Sequence, residues 1–244
     1  MFASRYLCLL LVFSIGAFWA QSRGAALAEE NLESLLNRQV ELKKGDRILF
    51  LGDSLTYLAG KEEPKKHVTK GYVRIVEETL QEKHKDKQIE VYWASTGGGT
   101  VYTLHGLLEK SVFPKKPTIV VIQIGCNDAR SKMTSEKFGK GLEDLIDRLR
   151  EAKITVVQCT LTSVGEKRDG TNPHDERLEV FAETARQVAL KKQVPLNDLR
   201  KAFVAYWKKN NPENKPRGIL TYDGNHFTDA GHRLVAEKML TKFK

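Results

Sequence analysis

The stretch Thr118-Ile119-Val120-Val121-Ile122-Gln123-Ile124 decides the architecture. It is a β-branched run with no polar alternation except at Gln123. A strand with one wet face alternates apolar and polar side chains, whereas a strand covered on both faces does not. The run is therefore expected to be an inner strand of a parallel sheet. On its N-terminal side, Arg47 to Leu51 is a compact apolar run ending in Gly52-Asp53-Ser54, and Gln88 to Trp93 reads as a strand that leads to Gly97-Gly98-Gly99. On its C-terminal side, Ile154 to Gln158 repeats the buried texture, and Pro195-Leu196 is the stub of a short strand. Helical periodicity fills the intervals at Tyr72 to His84, Phe138 to Leu149, Arg177 to Leu190, Leu199 to Trp207 and Asp229 to Leu240. Strands alternating with helices predict an α/β sandwich around a parallel sheet. No repeat, low-complexity tract or linker divides it, so one domain is expected.

The chain begins with an address. Arg5 supplies a positive segment, Tyr6 to Ala20 is almost wholly apolar, and Ala26-Leu27-Ala28 is a small-x-small cleavage pattern. Residues 1–28 are expected to be a signal peptide, with residues 29–244 the mature domain, secreted or periplasmic and without a membrane span after cleavage. A single membrane anchor is the competing reading, because the apolar run approaches spanning length. Cleavage would leave 38 basic and 31 acidic residues, a net charge of +7. The lysines are scattered, with no basic helix carrying interleaved aromatics, which argues against a nucleic-acid partner. Solvated faces or attraction to an acidic polymer both fit that charge. Oligomeric state is not encoded in any pattern found.

The order of elements makes a stronger statement. Parallel α/β sheets hold ligands beyond the carboxyl ends of their strands. Asp53-Ser54 follows the first strand, Gly97 to Gly99 the second, and Gly125-Cys126-Asn127-Asp128 the third. All three stretches should therefore meet at one rim. A serine hydroxyl there needs a base, and the base works best when a carboxylate fixes its tautomer. Tyr222-Asp223-Gly224-Asn225-His226-Phe227-Thr228 supplies both on one short loop. Three groups could serve a developing oxyanion: the Ser54 N–H, an N–H of the glycine cluster and the Asn127 amide.

Phe50-Leu51-Gly52-Asp53-Ser54-Leu55-Thr56, Gly125-Cys126-Asn127-Asp128 and Asp223-Gly224-Asn225-His226-Phe227-Thr228 together resemble blocks of the GDSL, or SGNH, hydrolases, in family order over nearly the whole mature chain. The resemblance implies a flavodoxin-like three-layer α/β/α sandwich with a five-stranded parallel sheet and a metal-independent serine esterase without cofactors. It implies Ser54 as nucleophile, His226 as base oriented by Asp223, and Ser54, Gly98 and Asn127 as the oxyanion hole, with Asp53 and Asp128 in support. Trp93-Ala94-Ser95-Thr96 departs from the family pattern before the glycines, so Gly99 is the alternative donor to Gly98. Cys126 also departs from it. In a flavodoxin-like order it would lie near Cys159, either as a disulfide or as two buried thiols.

Taken singly, Ser54 could be a helix cap and Asp223 with His226 a surface turn. His67, His84, His105, His174 and His232 show no metal-like spacing and are expected at the surface or in structural roles. Trp93 and Trp207 are expected in the core, while Tyr222 is either a sugar platform or packing. Among family activities, a small ester or acetylated carbohydrate is the expected substrate. A lysophospholipase or thioesterase-like lipid esterase, and an inactive carbohydrate-binding module, are the alternatives.

Overall fold

The computed structural model describes residues 29–61 and 68–244. The expected signal peptide at residues 1–28 and His67 lie outside the described residues. Five parallel strands form one sheet: β1 (Arg47–Gly52), β2 (Glu90–Ser95), β3 (Ile119–Gln123), β4 (Thr155–Cys159) and β5 (Leu196–Asn197), in the order β2-β1-β3-β4-β5. This is the flavodoxin-like arrangement, with its topological switch between β1 and β3. Gly52 pairs with both Ser95 and Gln123, so three strands end at one level.

The absence of polar alternation has a direct cause. Leu49, Leu51, Val120, Ile122 and Val156 face one core, with α4 (Val101–Leu107), α6 (Ser135–Glu151) and α7 (Asp175–Lys192). Ile48, Phe50, Ile119, Val121 and Val157 face a second core, with α3 (Tyr72–Lys83), α8 (Leu199–Asn210) and α9 (Asp229–Leu240). Successive side chains thus enter opposite layers, and both layers are dry. Gln123, the one polar residue of the run, is buried as well. Two short helices stand at the carboxyl edge, α2 (Ser54–Ala59) and α5 (Cys126–Arg130).

Helices α6, α7 and α8 extend the sequence expectations by a turn or less, α3 ends one residue earlier, and α9 matches at both ends. Helix α4 was not announced by periodicity. It continues through a π turn at Leu108–Val112 and a 3-10 turn at Phe113–Lys115, which breaks any single period. Thr100 and Thr103 form its capping box instead of the usual Ser/Thr with Glu/Gln. The polar lead-in forms helix α1 over residues 29–37. Beyond it, Val40 bridges Phe243 in parallel, so the last residues are tied to the segment entering β1. Among the described residues no helix is long and apolar enough to cross a membrane.

Candidate functional site

The turn after β1 has no room for a side chain at Gly52. A Cβ there would lie 2.1 Å from Thr56 Oγ1 and 2.6 Å from the Gln123 carbonyl oxygen. The chain can therefore bend sharply into α2, whose first residue is Ser54. Asp53 caps that helix, its Oδ1 accepting from the Leu55 N–H at 2.9 Å. Ser54 Oγ stands 3.1 Å from His226 Nε2, and His226 Nδ1 stands 2.7 Å from Asp223 Oδ2. A carboxylate can only accept, which assigns the proton of a neutral His226 to Nδ1 and leaves Nε2 to accept from Ser54. Asp223 Oδ1 also accepts from the Asn225 and His226 N–H groups, at 2.9 and 2.7 Å. Partial burial opposes ionisation of Asp223, but the His226 ring and these two N–H donors outweigh it and hold the carboxyl below the usual range. The result is an anion held against an imidazole that in turn meets a hydroxyl.

His226 and Asp223 sit on a tight hairpin. Thr221 bridges Phe227, the Tyr222 N–H donates to the His226 carbonyl at 2.9 Å, and Gly224 turns the chain at φ +95. Thr228 then caps α9 through the Gly231 N–H. Tyr222 stacks on the His226 ring at 5.9 Å between centroids.

This hairpin has a buried anchor that sequence reasoning missed. Glu166 is fully buried, and its carboxylate accepts from the N–H groups of Ile219, Leu220 and Thr221 at 2.8, 2.6 and 2.6 Å. Its own N–H donates to the Pro216 carbonyl, and the neighbouring Gly165 N–H donates to the Gly224 carbonyl at 2.7 Å. In sequence, Gly165 to Gly170 looks like a solvated polar loop, and no local signal marks Glu166 as buried. Only the chain folding back 53 to 55 residues later supplies its donors.

The glycine turn and Asn127 lie together at the same rim. Gly99 donates its N–H to the Thr96 carbonyl at 3.2 Å, closing a turn. Gly98 precedes it at φ +67, a conformation that favours glycine, and is exposed. Among the described residues the Gly98 N–H has no hydrogen-bond partner. Asn127 lies beside this turn, its amide nitrogen donating to the Gly99 carbonyl at 3.0 Å and to Asp53 Oδ2 at 3.3 Å. In this state the amide braces the glycine turn and Asp53. Asp128 is also buried, and its Oδ1 accepts from the Val101 N–H at 2.9 Å, joining α5 to the start of α4. Burial pushes Asp53 up to about 7 and Asp128 up to about 6.

Cys126 and Cys159 are free thiols. The disulfide alternative fails because Cys126 belongs to the core of α6 and α7, while Cys159 belongs to that of α8 and α9, across the sheet. Cys126 Sγ lies 3.5 Å from Thr162 Oγ1, and Cys159 Sγ lies 3.7 Å from Met239 Sδ. Burial pushes their thiols up to about 11 and about 12. His232 is buried and accepts from the Tyr72 N–H at 3.2 Å, a structural role. Among the described residues no group of three or more His, Cys, Asp or Glu is arranged to hold a metal ion.

Comparisons with known proteins identify the family and the fold. A model of the GDSL-like lipase/acylhydrolase family matches residues 50–234. An acetyl xylan esterase of known structure is 36% identical, with a TM-score of 0.73, over 80% of this chain and 98% of its own. An acetylxylan esterase from Geobacillus stearothermophilus is 24% identical over 217 residues, 82% of this chain and 95% of its own length. A putative GDSL-like lipase from Parabacteroides merdae is 25% identical, with a TM-score of 0.69, over 84% of this chain and 98% of its own. The chain belongs to the GDSL-like lipase/acylhydrolase family and is a serine ester hydrolase.

Proposed function

We propose that the protein removes acetyl groups from carbohydrate, with Ser54 as nucleophile, His226 as general base and acid, and Asp223 as the carboxylate that orients it. The observation that carries this reading is the continuous chain Ser54 Oγ–His226–Asp223 at 3.1 and 2.7 Å. Ser54 Oγ attacks the ester carbonyl carbon as His226 Nε2 takes its proton. The carbonyl oxygen becomes an oxyanion facing the Ser54 and Gly98 N–H groups, and Asn127 joins them by releasing the Gly99 carbonyl or Asp53. Collapse breaks the bond to the sugar oxygen, which takes the proton from His226 and leaves as alcohol. Water then repeats the sequence on the acetyl-enzyme and releases acetate.

The choice of substrate class rests on two supports. The relatives at 36% and 24% identity are acetylxylan esterases. The site is also an open rim: the Asp223 and His226 side chains are 40% and 26% exposed, and Gly97 and Gly98 are exposed. An open rim admits a short acyl group on a bulky polymer, whereas a long acyl chain needs an apolar channel for its burial. The N-terminal pattern of residues 1–28 supports export, which N-terminal sequencing of the mature protein tests.

Hydrolysis of p-nitrophenyl esters from acetate to palmitate, by wild type and Ser54→Ala, tests the reading. Turnover that peaks at acetate and vanishes in the variant is expected. A peak at long chains would move the substrate to lipids, and negligible turnover by both proteins would leave a carbohydrate-binding module.

A further inference from the structure

We infer that the surface beside the His226 hairpin is a subsite for carboxylate groups on an acidic polysaccharide, so that acetyl esters on uronic-acid-bearing chains are the preferred substrates. The inference rests on the esterase reading above and adds a charge preference to it. Two loops make the surface. Residues 167–169 read Lys-Arg-Asp, and α8 ends in Lys208-Lys209 and runs into a loop carrying Glu213, Lys215 and Arg217. Six cations therefore stand against the two carboxylates of Asp169 and Glu213.

Hydrogen bonds make the two loops one surface. The Arg168 N–H donates to Asn214 Oδ1 at 2.8 Å, the Asn214 amide returns a bond to Asp169 Oδ2 at 2.5 Å, and the Glu166 N–H reaches the Pro216 carbonyl at 3.1 Å. Further bonds join that surface to the site. Gly165 meets Gly224 on the His226 hairpin, and the Glu166 carboxylate holds residues 219–221 behind it. The cations are thus carried on a scaffold fixed relative to His226 rather than on independent loops.

The pairing pattern leaves charge to spare. Lys215 meets Glu213 at 2.8 Å, and the Asp169 carboxylate is taken up by Thr171 and Asn214. Among the described residues Arg168, Arg217, Lys208 and Lys209 have no carboxylate within ion-pair distance, and all four are exposed. Arg168 and Arg217 present planar forks that match a carboxylate bidentately. A polymer lying over the open rim would carry its acetylated sugar to Ser54 and a neighbouring uronate to these side chains. A neutral polymer gains nothing there, and exposed ion pairs are screened by salt.

The test compares wild type with the double variant Arg168→Glu/Arg217→Glu. Substrates are acetylated oligosaccharides with and without uronic acid, and p-nitrophenyl acetate, at low and at about 0.5 M salt. Wild type should favour the acidic oligosaccharide at low salt, mostly through KM, and lose that preference at high salt. The double variant should lose it at all salt levels while p-nitrophenyl acetate turnover stays at the wild-type rate. Equal kcat/KM of wild type on acidic and neutral oligosaccharides, or an unchanged preference in the variant, would overturn the subsite. Affinity electrophoresis of Ser54→Ala in acidic and neutral polysaccharide reads the subsite without turnover. Retardation by the acidic polymer alone supports it even if the esterase reading fails. Retention on anionic phospholipid vesicles but not on the polymer would assign the surface to a lipid headgroup and overturn it.

Discussion

Ser54 Oγ and His226 Nε2 are 3.1 Å apart although 172 residues of chain separate them. One group begins α2 at the end of β1, and the other sits on a hairpin just before α9. Their contact depends on both segments being fixed, and the fixing residues differ. Gly52 and Asp53 aim Ser54, while Glu166 and Asp223 aim His226.

Replacement of Asp223 by Asn keeps an acceptor for the Asn225 and His226 N–H groups but turns an amide toward His226 Nδ1. The imidazole then favours the tautomer with the proton on Nε2, which cannot accept from Ser54. A fall in kcat of about 10³- to 10⁴-fold with little change in KM is expected, by analogy with the serine-protease triad. Steady-state kinetics with p-nitrophenyl acetate checks it, and ring-nitrogen NMR reads the tautomer.

Glu166→Gln tests the buried anchor. An amide offers one acceptor oxygen and turns donors toward backbone N–H groups that need acceptors. Hydrogen bonds to a charged acceptor contribute roughly 1.5–3 kcal/mol each, so a loss of about 2–4 kcal/mol is expected. Thermal unfolding followed by circular dichroism should drop by roughly 5–10 °C. Well below the transition, kcat should still fall, because His226 loses its fixed distance to Ser54. Wild-type kcat in a folded variant would show that Glu166 serves the fold alone.

Asn127→Ala removes a side chain that braces the glycine turn and that, in the mechanism proposed above, turns to the oxyanion. A fall in kcat of about 10²- to 10³-fold is expected if the amide reaches the transition state. A change confined to KM would restrict Asn127 to holding the Gly99 turn.

Stability should depend on pH in an unusual direction. Asp53 and Asp128 have folded-state values of about 7 and about 6, above the ordinary 3.8, so the folded chain holds protons there that the unfolded chain has lost. Their contribution is fully present below pH 3.8 and disappears as pH rises through 6 and 7. His232 acts oppositely: burial lowers it from 6.5 to about 4, so its contribution is present above pH 6.5 and is lost as pH falls toward 4. Two raised groups outweigh one lowered group, and the unfolding temperature should rise as pH falls from about 8 to about 5. Asp128→Asn should flatten that slope, and a slope of the opposite sign in wild type would refute the assignment.

Cys126 and Cys159 should resist alkylation and thiol-specific reagents in the native protein at neutral pH, since both are buried and held as thiols. Intact mass should be the same with and without reductant. Modification should appear only on unfolding.

Much of this was legible because the informative residues obey short-range rules. The β-branched texture of Ile119 to Gln123 requires two dry faces, and the alternation of strands and helices then leaves few topologies. That in turn places Ser54, Gly98 and Asn127 at one edge, since each follows a strand. Asp223 and His226 needed only three residues of loop to meet. Less legible was α4, because its period is interrupted by a π turn and its capping box uses two threonines.

Sequence by itself determined the sheet, the rim and the hydroxyl–imidazole–carboxylate set, because strand burial and chain order are local or sequential properties. The tertiary structure decided what depends on which face or which distant segment a side chain meets. It set Cys126 and Cys159 in opposite cores, because pleat and layer direct them apart. Gly99 was committed to a turn, leaving the Gly98 N–H open. Glu166, one charge in a polar loop, became the buried acceptor for three N–H groups that the chain supplies only after returning past α7 and α8.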